Sequence, residues 1–476
     1  MSASAKMNEK DVISFFQQHG MLIEPKAVDF IINNGNISTC MEIIENLKHK
    51  PLIISFEMIE ELFNKKKKVR IERKIEKENG FEIIKDVTGK LSSDGKVDGF
   101  IEMFRDRYER LQELLKKRYE LKNAISIKKL RMFEEETSII GIVRDVRFVK
   151  NGFVAELEDE EDWISVYIPK QIDYAVVNDE VIGAVGKRKG DLFIAKNIIR
   201  PELPIKKNKN FSEEDGYIVF TSDLHVGSKS FLDKKWNKFI EWLNGKAGNE
   251  RQKNVAKKVK YIVISGDIVE GVGIYPKQEE DLAIEDLYLQ YEEVAKKFDG
   301  LPQNIKIILQ PGNHDAVRPP LPQPAFEDEI KDIFKDLNTI FIGNPCYMKI
   351  NGIIILSYHG QSIQDFATTL PGLNQNKPTK IMKEMLKRRH LAPMYGGITS
   401  LAPEKEDYMV IDLIPDIFVT GHVHTTAVEN YRDVILMNSS AWQSQTTYQK
   451  MMNFMPDPAK AIVVNMKNLM TSVMAF

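Results

Sequence analysis

The chain has 476 residues, 43% apolar and 29% charged, which suits a folded protein of about two to four domains and excludes a wholly disordered or collagen-like chain. Lys and Arg total 67 against 69 Asp and Glu, a formal net charge of −2, so any contact with nucleic acid must come from local patches rather than bulk charge. Two cysteines, Cys40 and Cys346, exclude a disulfide framework and a Cys-rich zinc site.

No run approaches the ~18 apolar residues of a membrane span, and the opening residues lack the apolar core of a secretory signal. A cytoplasmic location, without membrane contact, is expected.

The elements follow in chain order. Residues 1–63 carry helical spacing: Val12, Ile13, Phe15 and Phe16, then Ala27, Phe30, Ile31 and Ile32 after Pro25, then Met41, Ile43, Ile44 and Leu47. A small helical module is expected. Residues 64–136 are charge-dense, opening with Lys65 to Lys68 and Arg70. Further on, Ile101, Phe104, Tyr108, Leu111 and Leu115 recur every three or four residues, one face of a helix. This segment reads as a charged linker with a docking helix, the lysines forming a solvated run.

From Thr137 the period drops to two. Ile140 to Val146, Phe153 to Leu157, Trp163 to Ile168, Val181 to Val185 and Leu192 to Ile198 make five short strands, with turns at Asn151-Gly152 and Lys189-Gly190-Asp191. A small barrel of the oligonucleotide-binding (OB) type over 137–205 is expected. Its acidic run Glu158 to Asp162 disfavours a DNA groove on that side and favours protein docking. Pro201, Pro204 and Lys206 to Asn210 read as a linker, and 215–476 as one α/β domain.

Five β-rich runs of that domain each end in side chains that bind metals. They lead into Asp223-Leu224-His225, Gly266-Asp267, Gly312-Asn313-His314-Asp315, Tyr358-His359-Gly360 and Gly421-His422-Val423-His424. Loops at the carboxyl ends of strands converge on a crevice, where open α/β sheets build their sites. Each motif alone has an ordinary explanation as a turn or packing residue; the ordered set is specific.

This set resembles the calcineurin-like metallophosphoesterase superfamily. The resemblance implies an α/β two-sheet sandwich, behind the barrel and helical module. It also implies one divalent ion on Asp223, His225 and His424 and another on Asn313, His359 and His422, with Asp267 bridging. Such mixed imidazole and carboxylate donors favour manganese, with iron, zinc or magnesium as alternatives, over calcium. His314, next to the ligand Asn313, is implied to be the general acid toward the leaving oxygen. Asp315 would orient it or tie the loop.

The arginine that follows Gly-Asp in phosphoprotein phosphatases is missing from Gly266-Asp267-Ile268-Val269-Glu270, which disfavours a monoesterase. A phosphoesterase domain placed last, behind a barrel, resembles the small exonuclease subunit of archaeal family D DNA polymerase. So do Gly271 to Pro276, Lys387 to Pro393 and Trp442 to Lys450. That resemblance implies a 3′-to-5′ proofreading exonuclease acting on DNA 3′ ends beside a large catalytic subunit. The alternatives are a non-catalytic structural subunit and a repair nuclease of the same superfamily. Arg388 and Arg389, with Lys387, could contact the DNA backbone or form an ordinary solvated surface. Trp442 and Tyr448 could stack a base, though burial beside a strand is the expected fate of such aromatics.

Overall fold

A computed structural model describes residues 9–34, 53–56, 58–59, 80–133, 135–173, 175–205, 208–451 and 454–476. The chain forms two compact units, Met1–Glu82 and Ile83–Phe476. In the first, helices Glu9–Gln18 and Pro25–Asn34 bury Val12, Phe16, Ala27, Val28 and Ile31. Pro25 opens its helix where a missing N–H costs nothing. The unit is not purely helical: β1 (Leu22–Ile23) pairs in parallel with β2 (Ile53–Ile54). The Met41 to Leu47 pattern and the lysine run lie outside the described residues.

Of the segment expected as a linker, the part from Ile83 on belongs to the second unit. The edge strand β3 (Phe81–Lys85) straddles the unit boundary, and Asp86 accepts the Gly343 N–H at 2.9 Å. Helix Val97–Lys116 buries Met103, Arg107, Tyr108, Leu111 and Leu115. Ile101, expected on that face, is half exposed at 51%. Arg107 is buried although charged, and its guanidinium is bonded inside: Nε donates to Asp407 Oδ2 at 2.7 Å, and Nη1 donates to the Pro393 carbonyl at 2.7 Å.

The five period-two segments become β4 (Thr137–Val149), β5 (Gly152–Glu158), β6 (Trp163–Pro169), β7 (Val181–Lys189) and β8 (Leu192–Ile199). They close into a barrel in the order β4-β5-β6-β8-β7. The alternation fills its interior with Ile139, Val143, Phe153, Leu157, Val166 and Phe193. The following segment is no free linker, since Leu203 is fully buried and Glu202 N–H donates to the Lys387 carbonyl at 3.1 Å.

The remaining strands form two six-stranded sheets. The first is ordered β12-β11-β10-β9-β18-β19. Here β9 (Tyr217–Thr221), β10 (Val259–Ser265), β11 (Lys306–Gln310) and β12 (Thr339–Phe341) run parallel, and β18 (Lys460–Asn465) and β19 (Thr471–Ala475) are antiparallel additions. The second is ordered β16-β17-β15-β14-β13-β3, from β13 (Cys346–Ile350), β14 (Ile353–Ser357), β15 (Ile417–Thr420), β16 (Ala427–Tyr431) and β17 (Val434–Asn438). Central strands buried on both faces read as unbroken apolar runs, which is why their sequence shows no alternation.

One apolar cluster joins strands of the first sheet to helices Asp233–Leu243 and Leu287–Phe298 through Trp236, Phe239, Trp242 and Tyr291. Trp442 belongs to it, fully buried, with Nε1 donating to Thr221 Oγ1 at 2.6 Å. The Tyr448 side chain lies outside the description. A second cluster joins the other sheet to helices Ile363–Thr369 and Pro378–Arg388. The sheets touch where Gln310 on β11 donates to the Ser357 carbonyl of β14 at 3.0 Å. The carboxyl ends of β9, β10, β11, β14 and β15 lead into the five motifs. Among the described residues, no helix is long and apolar enough to cross a membrane.

Candidate metal centre

The five motifs converge. Asp223, His225 and His424 offer ligand atoms within 4.8 Å of one another, as do Asp267, His359 and His422, and also His225, Asp267 and His314. Asp267 lies between the sets: its Oδ2 is 3.1 Å from His359 Nε2 and 3.9 Å from His225 Nε2. Asn313 Oδ1 is 3.1 Å from the same His359 nitrogen. All seven residues expected to hold metal, with His314, thus lie in one place.

The backbone is bent to allow this. Asp223, His225, Asp267, His422 and His424 all adopt positive φ, between 45° and 67°. Such left-handed residues persist only where surrounding structure holds them, and they cluster at functional sites. Two glycines provide the room. A Cβ on Gly312 would sit 2.2 Å from Asp267 Oδ1, and one on Gly421 would sit 2.5 Å from Asp223 Oδ2.

The ring orientations suit a bound cation. His359 Nδ1 lies 2.7 Å from the Ser265 carbonyl, and His314 Nδ1 lies 2.7 Å from the Glu270 carbonyl. A carbonyl only accepts, so both Nδ1 atoms carry hydrogen. His225 Nδ1 faces the Glu270 carboxylate at 3.0 Å. In the neutral rings of His225 and His359 the Nε2 lone pair therefore faces inward. There His225 Nε2 meets His424 Nε2 at 3.1 Å, and His359 Nε2 meets carboxylate and amide oxygens. At His359 an acceptor nitrogen facing oxygen acceptors calls for positive charge between them.

The titration of the rings says the same. Burial opposes a charged His225, yet Glu270, Asp267 and Asp223 lift it to about 9. Burial likewise opposes a charged His359, and Asp267 and Asp223 lift it to about 9. His422, buried and beside His359, falls to about 3. The carboxylates draw protons onto two rings that a divalent cation would displace. The donor set, imidazole nitrogen with carboxylate and amide oxygen, fits manganese, iron or zinc.

Asp315 ties the loop and does not touch the His314 ring. It accepts the N–H groups of Gly312 at 2.8 Å and Ile268 at 3.2 Å, and the Tyr291 hydroxyl donates to it at 3.1 Å. Burial and the nearby Asp267 charge raise it to about 6.

Arg388 and Arg389 are corrections to the sequence reading. Both are buried, at 1% and 3% exposure. Arg388 Nε pairs with Glu180 at 2.5 Å, its Nη1 pairs with Glu384, and Arg389 Nε donates to the Ile411 carbonyl at 2.6 Å. Arg388 joins the segment entering the barrel strand β7 to the helix Pro378–Arg388, and Arg389 ties that helix end to the chain at Ile411, so they offer nothing to a DNA backbone.

Sequence reasoning missed Glu270, Gln443 and Gln449. Gln449 Nε2 is 3.0 Å from His424 Nδ1, and Gln443 Nε2 donates to Glu270 Oε2 at 2.8 Å. The available signal was an acidic residue three positions after Asp267. Glu270, Gln443 and Gln449 line one cleft of ≈ 310 Å³ with His225, Asp267, Asn313, His314, His422 and His424, and Ile274, Tyr275, Val423 and Phe454 add to its lining.

Residues 218–428 match the family of DNA polymerase alpha/epsilon B subunits. A DNA polymerase II small subunit of Archaeoglobus fulgidus is 42% identical, over 94% of each chain. One from Methanothermobacter thermautotrophicus is 39% identical, covering 96% of this chain and 98% of its own length. One from Thermoplasma acidophilum is 35% identical, over 96% of this chain and 91% of its own. With identities of this level across nearly the whole length, the chain belongs to the DNA polymerase II small subunits, the small subunits of archaeal family D DNA polymerase.

Proposed function

We propose that this chain is a metal-dependent 3′-to-5′ exonuclease that removes misincorporated nucleotides for a polymerase whose large catalytic subunit is a separate chain. The observation that carries the reading is the pair of ligand clusters flanking Asp267, with His314 beside them in a single cleft. Asp223, His225 and His424 would hold one divalent cation and Asn313, His359 and His422 the other, with Asp267 shared. When bound, the two cations supply Lewis-acid charge for the phosphodiester and for the attacking water.

The chain's own residues do the rest. Asp267 Oδ1 accepts the His314 N–H at 2.9 Å, so one carboxylate fixes both the centre and the backbone of the proton donor. With Nδ1–H held by the Glu270 carbonyl, His314 presents Nε2 to the cleft, where a protonated ring gives its proton to the leaving 3′ oxygen. The apolar wall of Ile274, Val423 and Phe454 limits water around the scissile bond. The relatives are named as polymerase subunits, which supports a large partner for this chain.

The test is single-turnover cleavage of a labelled, mismatched 3′ end by the purified chain with manganese. Stepwise loss of 3′ nucleotides is expected, abolished by EDTA. A chain that binds manganese yet leaves the 3′ end intact would instead be a structural subunit.

A further inference from the structure

Glu270 is 2% exposed, and every polar atom of its side chain and main chain is engaged around the site. Its carboxylate lies 3.0 Å from His225 Nδ1, accepts the Tyr275 hydroxyl at 3.1 Å and accepts Gln443 Nε2 at 2.8 Å. Its carbonyl accepts His314 Nδ1–H at 2.7 Å, and its own N–H donates to the Val226 carbonyl at 2.9 Å. The two rings it holds stand edge to face, centroids 4.7 Å apart. Its carboxylate thus stands against a ring expected to bind metal, and its carbonyl bonds the ring expected to move the proton.

We infer that Glu270 is the positioning residue of this centre: its carboxylate fixes the tautomer and tilt of His225 for one of the two cations, while its carbonyl fixes the His314 ring. The inference rests on the metal-dependent reading above. A carboxylate on Nδ1 compels the Nδ1–H tautomer, leaves Nε2 free to ligate, and makes the ring a stronger donor. The Tyr275 and Gln443 bonds restrict the carboxylate in turn, so the ring is aligned before any cation arrives. His359 needs no such residue, because the Ser265 carbonyl serves it. Apart from the shared Asp267, the rings of the two ligand sets are therefore held by separate partners, and loss of Glu270 should weaken only the set containing His225.

The experiment compares the full-length unaltered chain with Glu270→Ala and Glu270→Gln by calorimetric titration with manganese, beside melting in EDTA to check the fold. Glu270→Ala should lower manganese affinity roughly 10–100-fold at one of two sites and leave the other unchanged, the usual cost of removing such a partner. Glu270→Gln keeps an amide oxygen for His225 Nδ1–H and should restore most of the affinity. Equal affinities in Glu270→Ala and the unaltered chain would overturn the assignment. So would equal loss at both sites without rescue by Gln, the mark of a merely structural role. If the unaltered chain binds manganese but does not cleave, the exonuclease reading fails while the Glu270 assignment is still decided by the titration. If it binds none, both fall.

Discussion

Substituting single residues should separate holding the centre from doing chemistry. Asp267 lies within reach of ligand atoms from both sets, so Asp267→Ala should lose metal and cleavage together, read by metal content beside single-turnover assay. His314 donates its main-chain N–H to Asp267, and alanine keeps that bond. His314→Ala should therefore retain both ions while cleavage slows roughly 10²–10⁴-fold, the range for a positioned acid or base. If it stripped the metal or left the rate intact, His314 would not be the acid. Gly312→Ala addresses backbone geometry. Its new Cβ would press on Asp267 Oδ1 and main-chain nitrogen, which cannot both yield. About 1–3 kcal/mol of stability should be lost, with metal affinity falling as well.

At the scale of elements, two buried charge networks fasten helices to the domain. Arg107, His390 and Asp407 form one: His390 Nε2 lies 2.9 Å from Asp407 Oδ2, which Arg107 also pairs at 2.7 Å. Arg107→Met leaves Asp407 buried without its guanidinium and should cost ~3–5 kcal/mol, measured by denaturant unfolding. This network also gives a pH dependence. Burial and the Arg107 charge lower His390 from 6.5 to about 4. Between those values the unfolded chain binds a proton there and the folded chain does not, so stability falls as pH drops from about 6.5 to 4. Burial would raise Asp407, but Arg107 and His390 hold it well below the carboxylate range, so the loss continues at lower pH. Melting temperatures across this window should decline less steeply in His390→Gln. The other network contains Arg388. Arg388→Ala removes a buried partner from Glu180 and Glu384, leaving Arg200 on the first and Lys387 on the second, and should show as a lower melting temperature, with the cleavage rate of the folded fraction unchanged.

For the whole molecule, the structure decides where the chain can be cut. Removing everything before about residue 130 would take Tyr108, Leu111 and Leu115 out of a buried cluster shared with Ile140 and Val181 of the barrel, and Arg107 away from Asp407. A chain beginning at Gly80 keeps them, because the compact second unit begins at Ile83. The shorter cut should yield a folded protein that still co-purifies with its large partner, and the longer one should aggregate. If the shorter chain folds but no longer co-purifies, the first unit carries the contact and barrel docking is wrong.

Local order was enough to reveal the motifs and strands. An apolar run ending in Asp-x-His or Gly-Asn-His-Asp marks a strand and its loop because residues adjacent in sequence suffice to define both. Period-two spacing likewise identified five strands of a barrel, since alternation encodes a surface with one buried face. Interactions across long sequence separations were not legible there. Glu270 becomes a partner of His225 only when β9 and β10 lie side by side, and it gained no weight from its own neighbours. Arg388 and Arg389 look like a solvated basic cluster until the barrel delivers Glu180 to one and the chain at Ile411 returns to the other. Charge in a sequence fixes only that a residue must find a partner or water. Which of the two it finds depends on how the distant segments pack.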